Sequence, residues 1–136
     1  MKLQIITPEK TVFEGTVDGI TLPSSTGELT VLSGHVPLIV PLKSGEITLH
    51  VGDERRHMAV HGGFVEVDND VVKLLTDAVE LEEEVDERRA QEALDRARRA
   101  KEEAATTHDT AEALAAVERA IARLRLAERK KQRHRA

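Results

Sequence analysis

The chain has 136 residues and a formal net charge of −5, enough for one ordinary domain or one small domain with an appendage. Hydrophobic residues make up 40% of it but Phe13 and Phe64 are the only aromatics, so any core must be aliphatic. The lack of cysteine excludes a disulfide framework, thiolate chemistry and a Cys-based zinc site, and no window reaches the roughly 18 apolar residues of a membrane span.

The opening run Met1–Lys10 lacks the apolar stretch of a signal peptide, so a cytoplasmic location is expected. From Met1 to about Glu80 the pattern is one of short β-type runs punctuated by Gly and Pro. Strands are predicted at Leu3–Thr7, Val12–Leu22, Glu28–Leu32, Leu38–Leu42, Glu46–Val51, His57–His61, Phe64–Val67 and Val71–Thr76. Turn signals separate them: Thr26-Gly27, Ser33-Gly34, Ser44-Gly45, Gly52-Asp53, Gly62-Gly63 and Asp68-Asn69-Asp70. Strands this short, with no helix between them, predict an antiparallel β-sandwich or flattened barrel. Pro37 and Pro41 flank Leu38–Val40, which marks an edge or bulged crossing. Gly62-Gly63 can supply the positive φ angles of a tight hairpin. His57 and His61 are four apart on a strand, about 13 Å along one face, too far to share a metal, so no metal site is expected. His35, before Val36-Pro37, suits a turn or an interface better than catalysis.

Residues 81–136 contain no Gly, Pro, Phe, Tyr or Trp and consist mostly of strong helix formers. Asp86 is placed to cap a helix running from Glu87 to about Ala104. Thr106–Thr110 breaks it, and Asp109 with Glu112 resembles a capping box opening a second helix toward Lys131. Leu114, Val117, Ile121 and Leu124 follow a packing spacing, answered by Ala90, Ala93, Leu94, Ala97, Ala100 and Ala104. A connection of about five residues predicts an antiparallel helical hairpin. Its alanine-rich seam is thin, since a buried Ala contributes far less than the roughly 1.5–3 kcal/mol of a buried Leu. The expected organisation is therefore α+β: a β domain over residues 1–84 and a two-helix arm over 85–136, weakly closed. Charge divides the same way: residues 1–80 hold 6 Lys/Arg against 12 Asp/Glu, while 129–136 hold no acid at all. A basic end on a helical arm can seek an acidic surface or a phosphate.

The run Gly27–Leu38 (GELTVLSGHVPL), then Gly45-Glu46-Ile47, then Gly62–Val67 (GGFVEV) closely resembles the epsilon subunit of bacterial F-type ATP synthase, in order and spacing, over essentially the whole chain. The resemblance implies a non-catalytic, peripheral subunit on the cytoplasmic face of the bacterial cell membrane. Its β domain would clamp the gamma subunit and rest on the c-ring, coupling rotor to ring. It also implies an arm that inhibits ATP hydrolysis when extended into the alpha and beta subunits of the catalytic head. The candidate inhibitory cations are Arg98, Arg99 and Lys101 on the first helix and Arg125, Arg129, Lys130, Lys131, Arg133 and Arg135 on the second.

Val85-Asp86-Glu87-Arg88-Arg89-Ala90 resembles the nucleotide-binding motif of some epsilon subunits, an aliphatic-Asp-x-x-Arg-Ala pattern, with Val85 where Ile or Leu is usual. Arginines on the second helix match at Arg119 and Arg123, and Glu80 matches by offset a glutamate facing the base. The chemistry is reasonable on its own terms. Arg119 and Arg123 share a face at i, i+4, and Arg89 and Arg96 nearly do. Guanidinium forks gathered by a closing hairpin suit a triphosphate. Asp86 can accept from the base or ribose, with Val85 and Ala90 against the base. The resemblance thus implies ATP as a regulatory ligand and leaves open whether Mg²⁺ accompanies it. Two alternatives compete with this picture. Asp86 can be only an N-cap, with Glu92 and Glu118 neutralising the arginines, in a structural coupling subunit that binds no nucleotide. A nucleic-acid adaptor is disfavoured by the acidic β domain without stacking aromatics.

Overall fold

A computed structural model describes the backbone of residues 1–135 and the side chains of residues 1–133. Ten strands come first: β1 (Lys2–Ile6), β2 (Thr11–Thr16), β3 (Gly19–Ser24), β4 (Gly27–Leu32), β5 (Leu38–Leu42), β6 (Gly45–Val51), β7 (Glu54–Val60), β8 (Gly63–Asp68), β9 (Val71–Leu75) and β10 (Val79–Leu81). A 3-10 turn at Glu82–Glu84 leads into α1 (Glu87–Glu103) and α2 (Thr107–Arg135). The fold is the expected sandwich followed by a helical hairpin.

One layer runs β4-β3-β6-β7-β10 and the other β5-β8-β9-β1-β2, and the strands of the two meet where Ser24 at the end of β3 pairs Leu42 of β5. Period-2 alternation points one face of each strand inward, so Leu3, Ile5, Ile20, Leu22, Val31, Ile47, Leu49, Val60, Val65, Val72 and Leu74 are wholly buried in one aliphatic core. The two phenylalanines lie outside it: Phe64 is exposed, and Phe13 sits half-buried at the margin under the Arg56 guanidinium.

Five local expectations are corrected. The run Val12–Leu22 is not one strand but two, because the chain turns at Val17-Asp18 from one layer into the other. There Val17 N–H donates to Met1 O, Asp18 N–H to His50 O, and Asp18 Oδ2 accepts from Gly52 N–H at 2.6 Å. Pairing is not wholly antiparallel, since β1 lies parallel to β9, with Lys2 opposite Val71. Gly62-Gly63 does not close a hairpin. Both have positive φ, but they carry the chain from β7 to β8 in opposite layers. A Cβ on Gly63 would fall 1.9 Å from Leu75 O, so this crossing requires glycine. The short strand β10 was not expected; it pairs Val79–Leu81 with Val60–Met58. Finally, only residues 104–106 separate the helices, and Thr106 rather than Asp109 caps α2, its Oγ1 accepting from Asp109 N–H at 3.0 Å.

The cap of α1 is as expected, with Asp86 Oδ1 accepting from Arg89 N–H at 3.1 Å. Ala90, Leu94 and Ala97 of α1 and Ala113 and Ala120 of α2 are buried in the hairpin, whereas Leu114, expected in the seam, is 42% exposed. α1 packs along α2, and α2 lies on β6, β7 and the 82–84 turn. The apolar contact at that junction is a small cluster of Ala59, Val85, Ala122, Leu126 and Ala127.

Candidate regulatory site at the arm–sandwich junction

The inward residues of β6, β7 and β10 fix what their outer faces offer to α2. With Ile47, Leu49, Met58 and Val60 turned inward, Glu46, Thr48, His57, Ala59 and Glu80 face the helix, joined by His61 just past β7. Ala59 admits Leu126, and the polar groups around them meet the basic face of α2.

Three carboxylates organise the contact. Glu80 Oε1 accepts from Arg123 Nε and from His61 Nε2, the latter at 3.0 Å. Burial favours the neutral acid, but these two hydrogen bonds outweigh it and hold the Glu80 carboxyl below its usual range. Glu46 receives both arms of Arg129, at 2.8 and 2.9 Å, a bidentate pair that raises the Arg129 pKa against its own desolvation. Glu82, 5% exposed, takes Arg133 at 3.1 Å. Lys130 Nζ donates to Glu83 O at 3.1 Å, and Lys131 lies 3.8 Å from Glu87. His57 Nδ1 sits 3.1 Å from Thr48 Oγ1 and 3.8 Å from Glu46. Burial and the Arg129 charge lower its pKa, against smaller opposing effects of Glu46 and Glu82.

The residues expected to hold nucleotide are distributed as follows. Glu80 and Arg123 are in direct contact. Val85 and Ala90 are buried, Val85 in the junction cluster. Asp86 is the exposed N-cap and, with Val85, lines a groove shared with Ala127, Lys130 and Lys131. Arg119 is half-buried at the other end of the hairpin, in a groove with Glu103, Asp109 and Glu112. Arg89 and Arg96 are exposed on α1. Exposed Glu92 pairs with Arg88 at 3.4 Å. Of the expected inhibitory cations, Arg98, Arg99 and Lys101 are exposed on α1, and Arg125 lines a cavity between α2 and β3–β6. Arg129, Lys130, Lys131 and Arg133 are the groups tied down above, and the side chain of Arg135 lies outside the described residues. Sequence reasoning missed Glu46, His57, His61 and Glu82. For Glu46 the signal was the excess of acid in residues 1–80 beside an acid-free helical end. Among the described residues no group of His, Asp and Glu is arranged to hold a metal ion.

The second layer carries a different surface. Pro41, Phe64 and Leu75 stand opposite one another across β5, β8 and β9, with Ile39 beside them on β5. Ile39 is 70%, Phe64 54% and Leu75 46% exposed, so this face turns apolar side chains to solvent. Leu32, at the end of β4, and Val36, on the loop after it, are also exposed, and His35 Nδ1 lies 2.9 Å from Val36 O.

Known proteins place this arrangement. Residues 1–82 match the β-sandwich domain of the ATP synthase Delta/Epsilon chain. The ATP synthase epsilon chain of Solibacter usitatus is 44% identical over 130 residues, 96% of this chain and 97% of that one. The epsilon chain of Syntrophobacter fumaroxidans is 40% identical over 95% and 96% of the two chains. A chain in the Euglena gracilis mitochondrial ATP synthase (OSCP/F1/c-ring) shares the fold, with a TM-score of 0.76 and 24% identity over 88% of this chain and 76% of its own. On sequence and fold together, the chain belongs to the ATP synthase epsilon chain family.

Proposed function

We propose that the chain is a non-catalytic subunit of the central stalk, coupling rotor to ring, and that its helical hairpin is a brake released or applied by docking. In this reading the apolar patch of Ile39, Pro41, Phe64 and Leu75 receives the gamma subunit. The end of β4 at Leu32 and the following loop with Val36 rest on the c-ring. Assembly with the ring accounts for peripheral membrane association; among the described residues no helix is long and apolar enough to cross a membrane. One observation carries the regulatory half. Arg129, Lys130, Lys131 and Arg133, four of the nine cations expected to reach the alpha and beta subunits, are engaged within the docked arm. Docking and inhibition thus compete for the same charges.

ATP is proposed as the ligand that favours the docked arm, held by Asp86, Arg89, Arg96, Arg119 and Arg123, with Glu80, Val85 and Ala90 toward the base. A polyanion would supply the bidentate partners that clustered guanidinium groups need. To reach Arg123 it must share or displace Glu80. At a hundred times its dissociation constant such a ligand stabilises the docked form by about 2.7 kcal/mol. Isothermal titration of ATP into wild-type chain, Asp86→Ala and Arg123→Ala tests this. Affinity at least several-fold weaker in both variants, with unchanged β-sheet circular dichroism, is the expected result; wild-type affinity in both refutes the site. The alternative, a structural coupling subunit that binds no nucleotide, draws support from the Glu80–Arg123 pair itself, which closes the arm with no anion needed. Absence of any ATP heat in the wild type would decide for it.

A further inference from the structure

We propose that the docked arm is an acid-sensitive latch, in which protonation of His57, enclosed between β6 and the C-terminal half of α2, releases α2 from the sandwich. The inference rests on the arm being able to leave the sandwich, as proposed above, but not on nucleotide binding.

The His57 side chain is 13% exposed and that of Glu46 10%, so both are largely removed from water. The charged groups facing the imidazole are Glu46 from β6, Glu82 from the 82–84 turn, and Arg129 and Arg133 from α2. Both carboxylates are already engaged. Glu46 gives an oxygen to each arm of Arg129, and Glu82 pairs with Arg133. A neutral ring fits here, since Nδ1 is 3.1 Å from the Thr48 hydroxyl. An imidazolium would have to compete with Arg129 for Glu46, and would face two guanidinium charges in a partly desolvated space. The strain falls on α2, because Arg129 and Arg133 are the groups that can leave. Water can reach the latch through the cavity of about 500 Å³ between α2 and β3–β6, which is lined by Glu46, Thr48 and Arg129.

The sign follows from burial and from Arg129, which hold the docked His57 below its ordinary 6.5. A depressed histidine supports docking fully above about pH 6.5, and that support is lost as pH falls through 6.5 toward the docked value. Acidification therefore frees Arg129, Lys130 and Arg133 from the sandwich and the 82–84 turn, and adds to the brake.

The chain has no native cysteine, so spin labels can be placed on the full chain through Glu54→Cys on β7 and Glu128→Cys on α2, both exposed. Label-to-label distances measured without nucleotide from pH 7.5 to 5.5 should show the docked population falling at least about twofold. In His57→Asn it should stay level across that range, and His61→Asn should still lose docked population on acidification, from whatever level it starts at. Imidazole titration of wild-type His57 by NMR, expected below 6.5, serves if His57→Asn does not fold. A wild-type docked population indifferent to pH, or a response that survives in His57→Asn, overturns the latch. A response abolished in His61→Asn but not in His57→Asn also overturns it. Leu126→Ala on the same labels separates the two ideas. If that variant releases the arm while pH does not, the latch alone fails; if neither releases it, the mobile arm fails as well.

Discussion

In the sandwich, Ile and Leu side chains from both layers, such as Ile5, Ile20, Leu49 and Leu74, meet with no exposure at all. At the junction with α2 the buried apolar set is Ala59, Val85, Ala122, Leu126 and Ala127, with a single leucine, and the remaining contact is made by Glu46, Glu80, Glu82 and their cations. The first kind of contact depends on apolar area and close packing, and responds weakly to salt, pH or ligands. The second is marginal in area and strongly charged, so small changes in solution can move it. The two faces of β6 and β7 thus carry two kinds of contact in one chain, aliphatic toward the core and charged toward α2.

Three substitutions sharpen this contrast, in decreasing order of effect. Gly63→Ala strikes the sandwich where a Cβ meets Leu75 O and φ is +117°. It should destabilise the sandwich by roughly 3–5 kcal/mol, read as a large fall in the denaturation midpoint; a near-normal midpoint would mean that the β7–β8 crossing is soft. Leu126→Ala removes the one large apolar side chain of the junction. It should weaken docking by about 2–4 kcal/mol while the sandwich keeps its own melting transition. Hydrogen exchange that rises across α2 but not in β6 is the expected pattern, and equal loosening of both would erase the distinction. Arg129→Ala breaks the bidentate pair with Glu46, but the arginine is 43% exposed and therefore well screened. A loss of about 1 kcal/mol in docking is expected, shrinking at high salt; a salt-independent loss would point to packing rather than charge.

Much of the architecture was legible because it is local. Alternation of Val, Leu and Ile with polar residues located most strands, and Asp86 before Glu87 marked the start of α1. What escaped depends on partners distant in sequence. Nothing within Val12–Leu22 announces a corner at Val17-Asp18, since the residues holding it are Met1, His50 and Gly52. β10 is three residues with a glutamate at its centre, and exists because β7 offers it a ladder. Thr106 and Asp109 compete for the same cap, and the three-residue connection decides for Thr106. At the arm–sandwich junction, Glu80 and Arg123 were named through family likeness, and the structure sets them against each other. Glu46, His57 and Glu82 look like an ordinary solvated strand face until α2 is laid over them. The basic end of α2 was expected to seek an acidic surface, and part of that surface is the sandwich of the same chain.

The parallel pairing of β1 with β9 bears on how the molecule assembles. Lys2–Ile6 finds its ladder on Val71–Leu75, so the layer that begins the chain stays incomplete until about seventy further residues have been synthesised. Closing so long a loop is slow and leaves strand edges open meanwhile. The helices follow the strands, and α2 docks on β6, β7 and the 82–84 turn, in the layer that the β1–β9 pair does not belong to. On the ribosome, the surface that receives the arm can therefore take shape without waiting for the first strand to find its partner.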